Sequence, residues 1–234
     1  MDTPADAPAR PIGRRREIAL AVGLNLLFVA GVVFGGWPAG NVLLLFWVEN
    51  VVLGAWTLVR ILSAQVEPHT RRPFFFVGHY GMFCLVHLVF VAILSFWMGA
   101  ELTVAALVVP TVLVAVRHAA DVVTVWFGAG VFRRATPTQA FVTPYPRMAM
   151  LHVTTILAWG LMIGLMTGRR MGQGPTGLAG VVAAAQDALG RWGVELTPAG
   201  LVVLLLVAVK LFAEVFLAGR PITWEIGSLK ATMT

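Results

Sequence analysis

Charge is what this chain has least of. Only 12% of its 234 residues are Asp, Glu, Lys or Arg, while 59% are hydrophobic. Soluble domains carry about a quarter charged and about half apolar residues, so this scarcity excludes an ordinary water-soluble domain. Cysteine is nearly missing too. Cys84 stands alone, which excludes an intramolecular disulfide and leaves the redox compartment unread. Inside an apolar run it reads as a small buried hydrophobe. No internal repeat is visible, so a transporter built from inverted repeats gains no support. The closely spaced histidine boxes of lipid desaturases and hydroxylases are absent. So are a zinc-protease helix motif and the glycine–serine arrangement of an intramembrane serine protease.

What the chain has instead is long apolar runs. A hydrocarbon core needs about 20 apolar residues per helix. Six windows meet that length, at 18–37, 41–61, 74–98, 102–127, 148–167 and 201–217. They predict an all-α, polytopic transmembrane helix bundle with a short interfacial helix at 177–194, between spans five and six. Residues 1–15 are expected as a disordered cytoplasmic N-terminus, 16–218 as the transmembrane domain and 219–234 as a cytoplasmic tail. The segment 172–175 reads as a flexible break. Little chain remains for a soluble catalytic domain. An arginine-led apolar run also resembles an export signal, but export signals have a shorter apolar core and no small-residue cleavage site follows Trp37.

The net charge of +6 does not point to nucleic acid. The basic residues are scattered at span ends and form no stripe. Arg10, Arg14, Arg15 and Arg16 precede the first span. Arg71 and Arg72 lie between spans two and three, and Arg133, Arg134 and Arg147 between four and five. By the positive-inside rule these connections and both termini face the cytoplasm of an inner (plasma) membrane. The connection 168–196, with Arg169, Arg170 and Arg191, is the exception, and long loops weigh less in that rule.

Against this background a few polar groups stand out. Glu49, His87, His118, His152 and Glu214 each sit inside a different apolar run, where an ionisable side chain costs a few kcal/mol and usually faces a bundle interior. With His79, Asp121 and Lys210 they fall at similar depths, between midplane and cytoplasmic edge. Similar depth is what a shared site requires, although rotation about each helix is open. His79 and His87 share a stripe but lie about 12 Å apart along the axis, too far to ligate one metal together. His118 and Asp121, three apart, share a face that suits joint ligation. Lys210 and Glu214, four apart, read as an ion pair that solves its own burial problem. Glu49 has no lysine or arginine within one turn, so its partner comes from another helix or it carries a proton. Structural readings stand beside these. His79 also fits a core histidine bonded to a carbonyl or a nearby hydroxyl. His118 with Arg117 and Asp121 also fits a polar helix-end cluster. Asn50 also fits a hydrogen bond to a neighbouring helix.

Several strings carry a family likeness. They are Phe46–Trp47–Val48–Glu49–Asn50–Val51–Val52–Leu53–Gly54 and Phe74–Phe75–Phe76–Val77–Gly78–His79–Tyr80–Gly81–Met82–Phe83–Cys84–Leu85–Val86–His87. Pro144–Tyr145–Pro146–Arg147 leading to Leu151–His152 follows in order, then Lys210 and Glu214. The chain resembles the prokaryotic integral membrane family catalogued as domain of unknown function 6498, from the second span to the sixth. The resemblance implies a membrane fold and marks Glu49, Asn50, His79, His87, His118, Arg147, His152, Lys210 and Glu214. It implies no reaction.

Three functions fit. The first is an intramembrane site for a divalent metal (zinc, iron or manganese) made from Glu49, His79, His87, His118, Asp121 and His152, and catalytic on a lipid-like or membrane-embedded substrate. The second is a proton- or ion-coupled transporter or channel, in which glutamates and histidines relay protons. The third is a structural or helper protein whose polar groups only join helices. Membrane lipids are the expected surroundings, a homo-oligomer is compatible, and the substrate is unread.

Overall fold

The computed structural model describes residues 13–67, 72–170, 177–194, 196–217, 222–226 and 229–233. Among the described residues eight α-helices run in chain order: α1 Gly13–Val33, α2 Ala39–Ser63, α3 Arg72–Trp97, α4 Val104–Asp121, α5 Pro137–Val142, α6 Tyr145–Arg170, α7 Leu178–Gly190 and α8 Pro198–Leu217. A π-helical segment, Val122–Gly128, prolongs α4, and a 3₁₀ turn, Val131–Arg133, precedes α5.

Local chemistry sets the helix ends. Thr103 caps α4 by accepting from the Ala106 N–H, and Thr136 with Gln139 forms a capping box at α5 with Pro137 behind the cap. Gly99, at φ 78°, turns the chain out of α3 in a conformation other residues resist. Pro110 lies inside α4, where it removes one backbone donor.

Helix α2 is the axis of the bundle, touching α3, α4, α5, α6 and α8. Its sequence explains why. From Ala39 to Phe46 every residue is buried, and from there Glu49, Asn50, Leu53, Gly54, Thr57 and Ile61 continue one buried stripe. A helix apolar all round belongs in the interior. The α2–α3 contact is close at Gly54, where a Cβ would run into the Tyr80 ring. Tyr80 Oη donates to the Asn50 carbonyl at 2.9 Å across the same seam. At the other end of α2, Asn41 donates to the Glu101 carbonyl at 2.8 Å and accepts from the Glu101 N–H at 2.9 Å. Outward faces carry large apolar side chains, as on α3 with Phe74, Phe75, Leu85, Phe90 and Phe96. That pattern suits lipid.

Among the described residues, five helical stretches are long and apolar enough to cross a membrane: Ala39–Ser63, Arg72–Trp97, Ala106–Gly128, Pro137–Gly164 and Pro198–Phe216. They match the expected second to sixth runs. The expected first span is the exception. The apolar part of α1, Ala21–Val33, is shorter, because its opening turns contain Arg14, Arg15, Arg16 and Glu17. Gly13–Arg15 are helical where disorder was expected, and residues 1–12 and the expected break at 172–175 lie outside the described residues. The helix expected at 177–194 is α7, packed against α6 and α8. The bundle is all-α as expected, and a short ribbon lies beyond it. Within 219–234, β1 Ile222–Ile226 and β2 Leu229–Met233 pair antiparallel, Ile222 opposite Met233 and Ile226 opposite Leu229.

Candidate functional site: a buried charge cluster

Glu49 lies about 15 Å along α2 from Ala39, by helical rise, and is only 2% exposed. Its partners come from three other helices. From α4, Arg117 Nη1 lies 3.5 Å and His118 Nε2 3.7 Å from Oε1. From α6, Arg147 Nη1 lies 3.8 Å from the same oxygen. From α8, Lys210 Nζ faces Oε2 at 3.1 Å, an ion pair by distance without a well-directed hydrogen bond. Lys210 also donates to Glu214 Oε1 at 2.8 Å, one turn along α8, and sits 5.0 Å from the Phe46 ring centroid. Asn25 on α1 closes the chain of contacts, donating to Glu214 Oε2 at 2.8 Å. Five helices thus meet at one polar centre. Glu49 finds its partners on other helices, as its apolar neighbourhood requires.

His118 occupies a decision point. Arg147 Nη1 lies 3.4 Å from its Nε2, and a guanidinium can only donate. The neutral ring then keeps its hydrogen on Nδ1 and offers a lone pair to Arg147. With a hydrogen on Nε2, the same atom would face Glu49 instead.

The remaining candidates make separate pairs. His87 Nδ1 lies 2.8 Å from the Phe83 carbonyl, and its Nε2 lies 3.0 Å from His152 Nδ1. A carbonyl only accepts, so Nδ1 of His87 carries the hydrogen and His152 donates to Nε2 when both rings are neutral. His152 is exposed and His87 buried. His79 Nδ1 lies 2.8 Å from the Tyr145 hydroxyl and its ring stacks on Phe75, so it is a histidine bonded to a nearby hydroxyl. The two stripe-mates on α3 therefore take different partners.

Two expectations are corrected. Asp121 does not join His118; it pairs with Arg60 of α2 at 2.8 Å, a permanent cation whose N–H groups suit a carboxylate. Asn50 donates to the Phe46 carbonyl of its own helix at 2.9 Å, and it is its backbone carbonyl that meets α3. The residues missed as contributors are Asn25 and Arg60, while Arg117, read only as part of a helix-end cluster with His118, reaches Glu49. Each is a polar group within or at the edge of an apolar run, the same signal that singled out Glu49. Among the described residues no three His, Cys, Asp or Glu side chains come close enough to hold a metal ion, so the metal reading gains no support.

Comparison with curated proteins finds no match, and comparison with solved structures finds none either. A family model does match, over residues 8–225, and with it the likeness read from the Trp47–Glu49–Asn50, His79–Tyr80–Gly81 and Arg147–His152 segments holds across nearly the whole chain. The chain belongs to the family of unknown function DUF6498.

Proposed function

We propose that the chain is an ion-handling membrane protein, a proton- or ion-coupled carrier or channel whose working centre is Glu49. The observation that carries this reading is a fully buried carboxylate contacted by Arg117, His118, Arg147 and Lys210 from three other helices. Two of its ion pairs, those to the arginines, are loose, at 3.5 and 3.8 Å. Intramembrane ionisable groups gathered at one point mark ion and proton pathways. A proton on Glu49, or an anion competing with it, would release Arg117 and Arg147 and change what holds α2, α4 and α6 together. That is the kind of two-position element a coupled carrier needs.

Protein-containing vesicles with a trapped pH-sensitive dye test this. Protein-dependent proton movement that is lost in Glu49→Gln is the expected result. No movement, or movement unchanged in that variant, removes the reading.

A helper or structural role has its own support in the short Asn25–Glu214–Lys210 contacts, which join α1 to α8. Metal-dependent catalysis on a lipid-like substrate rests only on residue types. The arginine distribution supports an inner-membrane location with both termini cytoplasmic, α1 serving as a sixth span beside α8. Trp192, 85% exposed at the end of α7, supports an interfacial position for that helix. Self-association is compatible with this arrangement.

A further inference from the structure

The charges in the cluster do not cancel. Arg117, Arg147 and Lys210 bring three cations, while Glu49 and Glu214 bring two carboxylates. Arg60 and Asp121 neutralise each other nearby. One positive charge is left over beside a buried carboxylate, on side chains that are only partly exposed.

The surplus resides on the guanidiniums. Lys210 is fully engaged, at 2.8 Å from Glu214 and 3.1 Å from Glu49. Arg117 and Arg147 approach a single oxygen of Glu49 from 3.5 and 3.8 Å, well beyond the roughly 2.7–2.9 Å of a charge-assisted N–H···O bond. Each guanidinium has five N–H donors. Among the described residues the directed bonds are one from Arg117 to Glu49 and one from Arg147 to His118. Two planar donor forks, on α4 and α6, therefore converge on one small acceptor that satisfies neither. The Arg147 side chain is 34% exposed, which leaves an approach.

We infer that Arg117 and Arg147 form a binding site for a phosphate-type oxyanion, with Glu49 as the resident competitor. The inference deepens the proposed function and rests on its reading of the cluster as the working centre. A tetrahedral oxyanion takes two guanidinium forks at once and supplies the missing negative charge. A spherical halide would leave most of those donors unpaired. The chemistry is shared by inorganic phosphate and by the headgroup of an anionic phospholipid.

The test has two arms, both on the full chain purified in detergent. Inorganic phosphate is titrated by calorimetry. Separately, retention of phosphatidic acid against phosphatidylcholine is followed by native mass spectrometry. Saturable phosphate binding assigns the site to the free ion, and selective retention of phosphatidic acid assigns it to the headgroup. In the responding arm, Arg147→Lys keeps the charge, loses the fork and weakens binding about tenfold. Glu49→Gln removes the competitor and tightens it. Absence of binding in both arms overturns the inference, as does a folded Arg147→Lys variant that binds as well as the parent, or a folded Glu49→Gln variant that binds no better. If Glu49→Gln does not fold, Arg147→Lys decides alone. Binding without vesicle flux removes the carrier reading and leaves the oxyanion site; flux without binding does the reverse.

Discussion

At the residue scale, Glu49 has the most to lose. Truncation to Ala leaves Arg117, Arg147 and Lys210 facing one another around an empty position. Breaking a buried ion pair from one side costs about 3–5 kcal/mol. We expect Glu49→Ala to lower the midpoint of thermal unfolding in detergent far more than Asp121→Ala, whose side chain is 48% exposed. Tyr80→Phe removes only the hydrogen bond to the Asn50 carbonyl. It should cost about 1 kcal/mol, read in the same unfolding assay, because the ring still packs against Gly54. Much of this was legible beforehand. An acid in an apolar run with no basic residue one turn away must look elsewhere, and Glu49 does. Which helix answers was not legible, because the rotation of α4, α6 and α8 about their axes is set by packing that a sequence window does not contain. Asp121 shows the limit: three residues from His118 and on its side of α4, it still turns to Arg60.

At the element scale, two features explain how neighbours keep register. The first is the close approach of α2 and α3. Gly54→Val puts two methyl groups where the Tyr80 ring lies. Overpacking of this kind costs about 1–3 kcal/mol, and the variant should express poorly or unfold at lower temperature, while Gly78→Ala, at a position with open space around it, should behave like the parent. The second is the π segment after α4. Trp126 lies buried within it and donates to Ser63 Oγ at 2.8 Å, one helix away. Trp126→Phe should cost about 1 kcal/mol through that lost bond, measured by denaturant unfolding. The positions of the five long apolar helices could be read from hydropathy to within a few residues. The widened turns, the short α5 and the terminal ribbon could not, since π geometry carries no hydropathy signal and the ribbon follows the last apolar run.

For the whole molecule, the number of crossings decides where the termini lie. Among the described residues five stretches qualify by length and apolarity, and α1, packed against α8, is the sixth candidate. Cys84 is the only cysteine, so Cys84→Ser gives a background for single cysteines placed near each terminus. With six crossings the two termini share a side and respond alike to an impermeant thiol reagent added outside intact cells, both protected under the proposed orientation. With five, one of the two reacts. The cluster is also completed in chain order: α2, with Glu49, precedes α4, α6 and α8, which bring Arg117, Arg147 and Lys210. A bundle lacking α8 would therefore hold this acid without its lysine, so completing the last helix is what closes the centre.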